Sequence, residues 1–212
     1  MNNQKLHWDA LHTQGDIAHY SDKPTDFAQE VLAVIPPNSH LLELGCGVGN
    51  DSIAFAQAGH TVVATDFSQV AVAKNKERFK DTQNLSFKVV DMSSPFDFSE
   101  KFDVVYARLS LHYFTDAITR RIIADIYKLL KPGGYLCFIC KSTDDPHYGQ
   151  GTEIDPDMYE NKGHIRHFFS ETYVRSLLAD KFEIVKLDSG KETFYGSESG
   201  FVKVVAKGKS IE

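Results

Sequence analysis

The chain has 212 residues, 42% hydrophobic and 25% charged, and Lys+Arg 23 against Asp+Glu 29 leave a formal net charge of −6. Those values describe one ordinary globular domain, 1–212, with enough chain to bury a core. With Gly at 14, Pro at 7 and Cys at 3, they speak against disorder, a collagen-like repeat or a disulfide scaffold. The acidic balance also argues against nucleic acid as a partner, because phosphate backbones are bound by clustered Lys and Arg that displace counterions.

The start, Met1 to Asp9, lacks the apolar run of a signal peptide, and no later stretch approaches the roughly 20 apolar residues that cross a bilayer. A cytoplasmic protein without a membrane partner is expected, as a monomer or homodimer. The first 26 residues are polar and form a cap segment. Phe27, Ala28, Val31, Leu32, Val34 and Ile35 then take helical spacing, stopped by Pro36-Pro37.

Leu41-Leu42-Glu43-Leu44 reads as a strand that runs through a glycine-rich turn into a helix containing Ile53 to Ala58, with Asp51 or Ser52 placed to cap it. Further strand-like runs fall at Thr61 to Thr65, Leu85 to Val90, Phe102 to Tyr106, Tyr135 to Cys140, Phe182 to Leu187 and Phe201 to Ala206. A helix is expected from about Gln69 to Phe79. The clearest helix, near Asp116 to Leu130, carries Ile118, Ile122, Ile126 and Leu129 on one stripe, with Thr115 as N-cap and Pro132-Gly133-Gly134 as its stop.

Strands alternating with helices call for parallel pairing and right-handed crossovers, hence a doubly wound, Rossmann-like α/β sheet that binds ligands at the carboxyl ends of its strands. Cys137 and Cys140 have the spacing of a redox or zinc pair, yet residues three apart on a strand face opposite sides, so both are read as core. The stretch 141–166, rich in Asp, Gly, Pro and His, is long for a connection in a compact domain and is read as an insertion or lid.

The chemistry sits in the first turn, Glu43-Leu44-Gly45-Cys46-Gly47-Val48-Gly49-Asn50. Glycines there let a ligand lie against the main chain. Asp66, twenty-one residues after Gly45, ends the next strand, where a carboxylate accepts hydrogen bonds from both hydroxyls of a ribose. A dinucleotide fingerprint would place its third glycine at Asn50. Here the third glycine is Gly49, and Glu43 stands beside the turn, where it repels a pyrophosphate but suits the ammonium of an amino acid. The pattern favours S-adenosyl-L-methionine over NAD.

On these residues the chain resembles the class I S-adenosylmethionine-dependent methyltransferases, from about Ser39 to Ala206. The resemblance implies a seven-stranded sheet of order 3-2-1-4-5-7-6 with strand seven antiparallel, S-adenosyl-L-methionine as cofactor and S-adenosyl-L-homocysteine as product. It maps the methionine end of the cofactor to Glu43, Gly45, Gly47 and Gly49, with Asn50 closing the turn, the ribose to Asp66, and the adenine to Phe67, Asp91 and Met92. The strand-four motif maps to Phe102 to Ala107, with Ala107 lining the reaction centre. Trp8-Asp9, the short chain and Gly49-Asn50-Asp51 resemble the small-molecule branch that includes tellurite-resistance and thiopurine methyltransferases.

Methyl transfer to a small-molecule substrate needs alignment of a nucleophile behind an already activated methyl group, and a base only where the nucleophile is protonated. Arg108, Ser110, His112 and Tyr113 follow the fourth strand; His112 is a candidate catalytic group or else a helix-edge residue with a surface hydrogen bond. Arg108 pairs an anionic substrate group or anchors its loop. His147, Tyr148, Tyr159, His164, Arg166 and His167 are the insertion's candidates for substrate contact. His164 and His167 have no completing ligands nearby in sequence, so no metal is expected. Trp8 and Tyr20 are candidates to close over the cofactor and contact substrate, or they simply pack the N-terminal segment onto the core. Rival readings are a NAD-dependent oxidoreductase, a non-catalytic cofactor-binding protein of the same fold, and a methyltransferase acting on protein or RNA.

Overall fold

A computed structural model describes residues 8–10, 13, 23–194 and 196–210. Helix α1, Asp26–Leu32, starts at Thr25, whose hydroxyl accepts from the Ala28 N–H, and it buries Phe27, Ala28 and Val31. Then come β1 (His40–Leu44), α2 (Asn50–Gln57), β2 (Thr61–Asp66), α3 (Gln69–Arg78), β3 (Leu85–Val89) and β4 (Phe102–Arg108). A single 3-10 turn, Leu111–Tyr113, leads to α4 (Asp116–Leu129) and β5 (Leu130–Lys141).

Helix α4 starts after Thr115 as its spacing predicts, although the Thr115 hydroxyl makes no capping bond. Its Ile122, Ile123, Ile126 and Leu129 are buried, and truncating one such side chain to Ala would cost about 2–5 kcal/mol. The cap expected for α2 is corrected. Gly49, in left-handed conformation, occupies the N-cap without a side-chain bond, while Asp51 and Ser52 reach across to other partners described below.

With the last two strands, β9 (Phe182–Phe194) and β10 (Ser197–Gly208), the seven-stranded sheet has the order β3-β2-β1-β4-β5-β10-β9. Strands β1 to β5 pair in parallel, and β10 runs antiparallel to both β5 and β9. The strand numbers depart from the expected 3-2-1-4-5-7-6 because the insertion adds three strands of its own.

Those strands, β6 (Thr152–Asp155), β7 (Met158–Asn161) and β8 (His164–His167), form a separate antiparallel sheet in the order β6-β7-β8. At four residues each they are too short for an alternating period to show in the sequence. Their own small core holds them: Met158 and Phe168 are buried, and Tyr148 packs on Tyr159 and Phe168 at ring distances of 5.4 and 5.6 Å. Helix α5, Glu171–Leu178, follows, capped by the Ser170 hydroxyl.

Strand alternation divides the core. Leu42, Leu44, Val105, Ala107 and Cys140 face α4 and α5, while Leu41, Val104, Tyr106 and Cys137 face α1 and α2. Cys137 and Cys140 therefore lie on opposite sides of the sheet, and burial raises both thiols above their ordinary range. Among the described residues, no helix is long and apolar enough to cross a membrane.

Candidate active site

The parallel strands deliver their carboxyl ends to one edge, and the turn after β1 occupies its centre. The N–H groups of Gly45 and Cys46 both donate to the Thr65 carbonyl at 2.8 Å, which pins the turn to the end of β2. A Cβ on Gly45 would stand 2.6 Å from the Ser110 Cβ, whereas one on Gly47 would meet nothing within 4 Å among the described residues. Both have positive φ, +81° and +52°, but only Gly47 faces open space, which is the property a ligand lying on the main chain requires.

The acids around the turn have distinct tasks. Asp66 Oδ2 accepts from the Gly47 N–H and its Oδ1 from the Ser68 N–H, each at 2.9 Å. A carboxylate oxygen can accept more than one hydrogen bond. Glu43, 3% exposed, accepts from the Ser52 hydroxyl at 2.5 Å. Burial first, then the nearby Asp51 charge, pushes its carboxyl up to about 8. Asp51 is itself buried, accepting from the Thr25 N–H and hydroxyl at 2.8 and 2.9 Å and from the Tyr106 hydroxyl at 2.8 Å.

From the other side, α3 braces the turn. Asn75 Nδ2 donates to the Gly47 carbonyl at 2.8 Å, and Arg78 reaches the Val48 carbonyl and the Asn50 side-chain oxygen at 3.3 and 3.2 Å. Asn50 thus holds the turn's shape through Arg78. Phe67 is half-buried after β2. Asp91, exposed after β3, accepts from the Ser93 N–H at 2.8 Å, and Met92 packs against the α4 face of the core.

At the end of β4, Ala107 is fully buried. Leu109 takes φ +51°, a left-handed conformation that an L side chain resists, with its N–H donating to the Ile139 carbonyl at 2.8 Å. That kink, together with the Ser110 hydroxyl donating to the Leu44 carbonyl at 2.7 Å, throws His112 and Tyr113 over the carboxyl edge. His112 is 1% exposed, and among the described residues neither ring nitrogen has a hydrogen-bond partner. The surface role considered for it is therefore excluded. Burial, then the charges of Arg166, Lys141, His164 and His167, hold the imidazole well below its ordinary range, so it is neutral at pH 7.

Three remote stretches meet at this turn. Trp8 lies edge-on to Tyr113 at 5.6 Å and to His164 at 5.9 Å. Tyr113 is 5.8 Å from the His164 ring and 4.4 Å from His112. Arg108 stands 5.5 Å over the Phe194 ring, and Lys141 stands 5.4 Å from the same ring. Of the sequence candidates, Trp8, His112, Tyr113, His164 and Arg166 are brought together, Arg108 lies on the α1 face beneath them, and Tyr20 lies outside the described residues. Among the described residues, no group of three or more His, Cys, Asp or Glu could hold a metal ion.

Thr25, Asn75, Arg78, Tyr106 and Lys141 were not singled out from sequence. Tyr106 stood in the strand-four motif without a role of its own, and the signal that could have found it is Asp51, six residues past Gly45, as a partner for its hydroxyl.

A family model described as "Methyltransferase domain" matches residues 41–134, the stretch that carries the glycine turn, β2, β3, β4 and α4. Probable thiol methyltransferase 2 from Arabidopsis thaliana is 31% identical over 157 residues, 72% of this chain and 67% of its own. Phosphoethanolamine N-methyltransferase 1 from Triticum aestivum is 32% identical over 73% of this chain, which spans about a third of that relative's length, 32%. The crystal structure of Burkholderia thailandensis 1,6-didemethyltoxoflavin-N1-methyltransferase, with 1,6-didemethyltoxoflavin and S-adenosylhomocysteine bound, shares the fold at TM-score 0.77 and 19% identity, covering 99% of this chain and 88% of its own. The chain belongs to the class I S-adenosylmethionine-dependent methyltransferases, enzymes that take S-adenosylmethionine as cofactor and release S-adenosylhomocysteine.

Proposed function

We propose that the chain transfers a methyl group to a small-molecule acceptor at a sulfur, nitrogen, oxygen or metalloid atom, by in-line displacement, and works in the cytoplasm. The observation that carries this reading is the meeting of Trp8, His112, Tyr113 and His164 at the end of β4, next to a glycine turn whose Gly47 opens onto empty space. Phosphoethanolamine, thiol and toxoflavin-precursor methyltransferases among its relatives and structural neighbours are named for acceptors of that size.

S-adenosylmethionine, when bound, would supply an activated methyl group whose carbon–sulfur electron pair stays with sulfur, so the acceptor would need only an aligned nucleophile. Glu43 takes the amino-acid end, Gly45, Gly47 and Gly49 shape the bed that Asn50 and Arg78 brace, Asp66 takes the ribose, and Phe67, Asp91 and Met92 take the adenine. Ala107 walls the reaction centre. Trp8, Tyr113 and His164 surround the acceptor and keep water away, which strengthens every charge contact inside. Neutral His112 accepts the acceptor's proton at a ring nitrogen when the nucleophile is protonated.

Calorimetric titration with S-adenosylhomocysteine and with NAD tests the cofactor part. Binding of NAD without S-adenosylhomocysteine would replace this reading with an oxidoreductase. A labelled-methyl screen over small thiols, amines, phenols and metalloid oxyanions tests the transfer. Binding without transfer to any acceptor would leave a non-catalytic cofactor-binding protein. His112→Ala is expected to leave S-adenosylhomocysteine affinity within twofold and to cut turnover at least tenfold; full turnover in that variant removes His112 from the chemistry.

A further inference from the structure

The acceptor side of the cleft is strongly basic in a chain whose net charge is −6. Arg166, Lys141, His164 and His167 all stand close enough to His112 to oppose its protonation, and Arg166 and Arg108 act on Lys141 in the same sense. Part of this charge is answered inside the protein. Lys141 donates to Asp145 Oδ2 at 2.9 Å and to the Ser199 hydroxyl at 2.5 Å, and Asp116, Asp157 and Asp155 face His167. Arg166 has no ion-pair partner among the described residues, and its Nε is buried without a hydrogen-bond acceptor.

His112 stands in the same place, 1% exposed and with both ring nitrogens unpartnered among the described residues. A buried polar group left unpaired carries the full cost of its lost hydration, so unpartnered groups beside one reaction centre are a sign of a ligand that completes them. Arg166 lines a shallow cleft with Tyr159, Asn161, His164 and Phe168. The His164 ring continues that cleft to Tyr113, which stacks beside His112.

We infer that the methyl acceptor is a small oxyanion, a carboxylate or phosphate compound, whose charged group lies against Arg166 while its nucleophilic atom faces His112. This rests on the methyl-transfer reading above. A planar guanidinium meets two oxygens of such a group at once. Lys141 cannot substitute for it without leaving Asp145, so the anion's place is set by Arg166. The same field disfavours a cationic acceptor.

The test uses the full chain and first measures S-adenosylhomocysteine binding by calorimetry. If that binding is absent, the methyl-transfer reading falls independently, and direct anion binding alone judges the Arg166 site. With the protein saturated in S-adenosylhomocysteine, inorganic phosphate and acetate are titrated separately, and saturable binding of one that is lost in Arg166→Gln is expected. Acceptors are then offered in matched pairs, carboxylates beside their primary amides and phosphate monoesters beside their alcohols. The charged member of one set should be favoured at least tenfold in kcat/KM, which also tells the two oxyanions apart. Arg166→Gln should remove most of that preference through KM, at unchanged S-adenosylhomocysteine affinity, and Arg166→Lys should restore part of it. Equal rates for charged and neutral members in both sets, or a preference that survives Arg166→Gln, would overturn the inference. So would the absence of saturable binding of either anion to the wild-type chain.

Discussion

The cofactor side and the acceptor side of the cleft lie on the same edge of one sheet, yet their polar groups are treated in opposite ways. Around the glycine turn, the Gly47 N–H meets Asp66 and the Gly47 carbonyl meets Asn75. Glu43 meets Ser52, and Asp51 meets Thr25 and Tyr106. Around the acceptor, His112 and the Arg166 Nε have no partner among the described residues, and the chain enters through a left-handed Leu109. A bed whose shape is held by the protein's own hydrogen bonds is preorganised for a fixed ligand. On the proposed reading, the groups left unsatisfied are the ones that the acceptor completes.

The sharpest way to break this contrast is to add one methyl group at each of two glycines. In Gly45→Ala the new Cβ would stand 2.6 Å from the Ser110 Cβ at φ +81°, combining a packing clash with left-handed strain. A loss of about 2–4 kcal/mol in urea unfolding is expected, together with loss of S-adenosylhomocysteine binding. Among the described residues, Gly47→Ala meets nothing within 4 Å at φ +52°, so only the strain of about 1–2 kcal/mol remains. Its S-adenosylhomocysteine affinity should still fall at least tenfold. Equal unfolding penalties for the two variants would show that the open space beside Gly47 is not the ligand's place.

A smaller effect comes from proton linkage at Glu43. Burial and the Asp51 charge raise this carboxyl to about 8, so in the ligand-free protein it is largely neutral at pH 7. An ammonium favours the ionised form, so binding releases a proton and tightens as pH rises toward 8, by at most tenfold per pH unit. Glu43→Gln should flatten the profile, and Asp51→Asn should shift its midpoint to lower pH by removing the neighbouring charge. For stability the sign is opposite. The folded value lies above the unfolded 4.5, so the native state holds the extra proton between them. Glu43's contribution is complete below 4.5 and declines as pH rises through about 8. A ligand affinity independent of pH between 6 and 8 would remove Glu43 from the ammonium's side.

Why one half of the site was legible and the other was not follows from how each is encoded. Glu43, Gly45, Gly47, Gly49 and Asp66 lie in consecutive strands, where spacing translates directly into position because each strand must end at the same sheet edge. The sheet and α4 were legible for the same reason, their apolar periods being long. The placement of Trp8 against Tyr113 and His164 depends on three stretches with no common period. The insertion's strands are too short to show one. Asp51 misled as a cap because its partners, Thr25 and Tyr106, are 26 and 55 residues away. The strain at Leu109 has no sequence signature, since any glycine rule would have predicted a different residue there.

The smallest predicted effect separates the two regions dynamically. Strands β6 to β8 pair mainly with one another, and their attachment to the large sheet runs through the Ser142–Phe169 bridge and the Phe169 N–H donating to the Lys141 carbonyl at 2.8 Å. Tyr148 closes the β6–β7 turn by donating to Asp157 Oδ1 at 2.6 Å, from a side chain at the surface. Asp157 holds φ +57° there, so the bond steadies a turn that would otherwise relax. Tyr148→Phe keeps the ring against Tyr159 and Phe168 and removes only the hydroxyl. Global unfolding should change by less than about 0.5 kcal/mol, because the group is exposed and water replaces it. Amide exchange in β6 and β7 should nonetheless quicken several-fold while β1, β4 and β5 stay protected, the behaviour of a unit that opens by itself. Equal acceleration across both sheets would mean that the insertion and the large sheet open as one body.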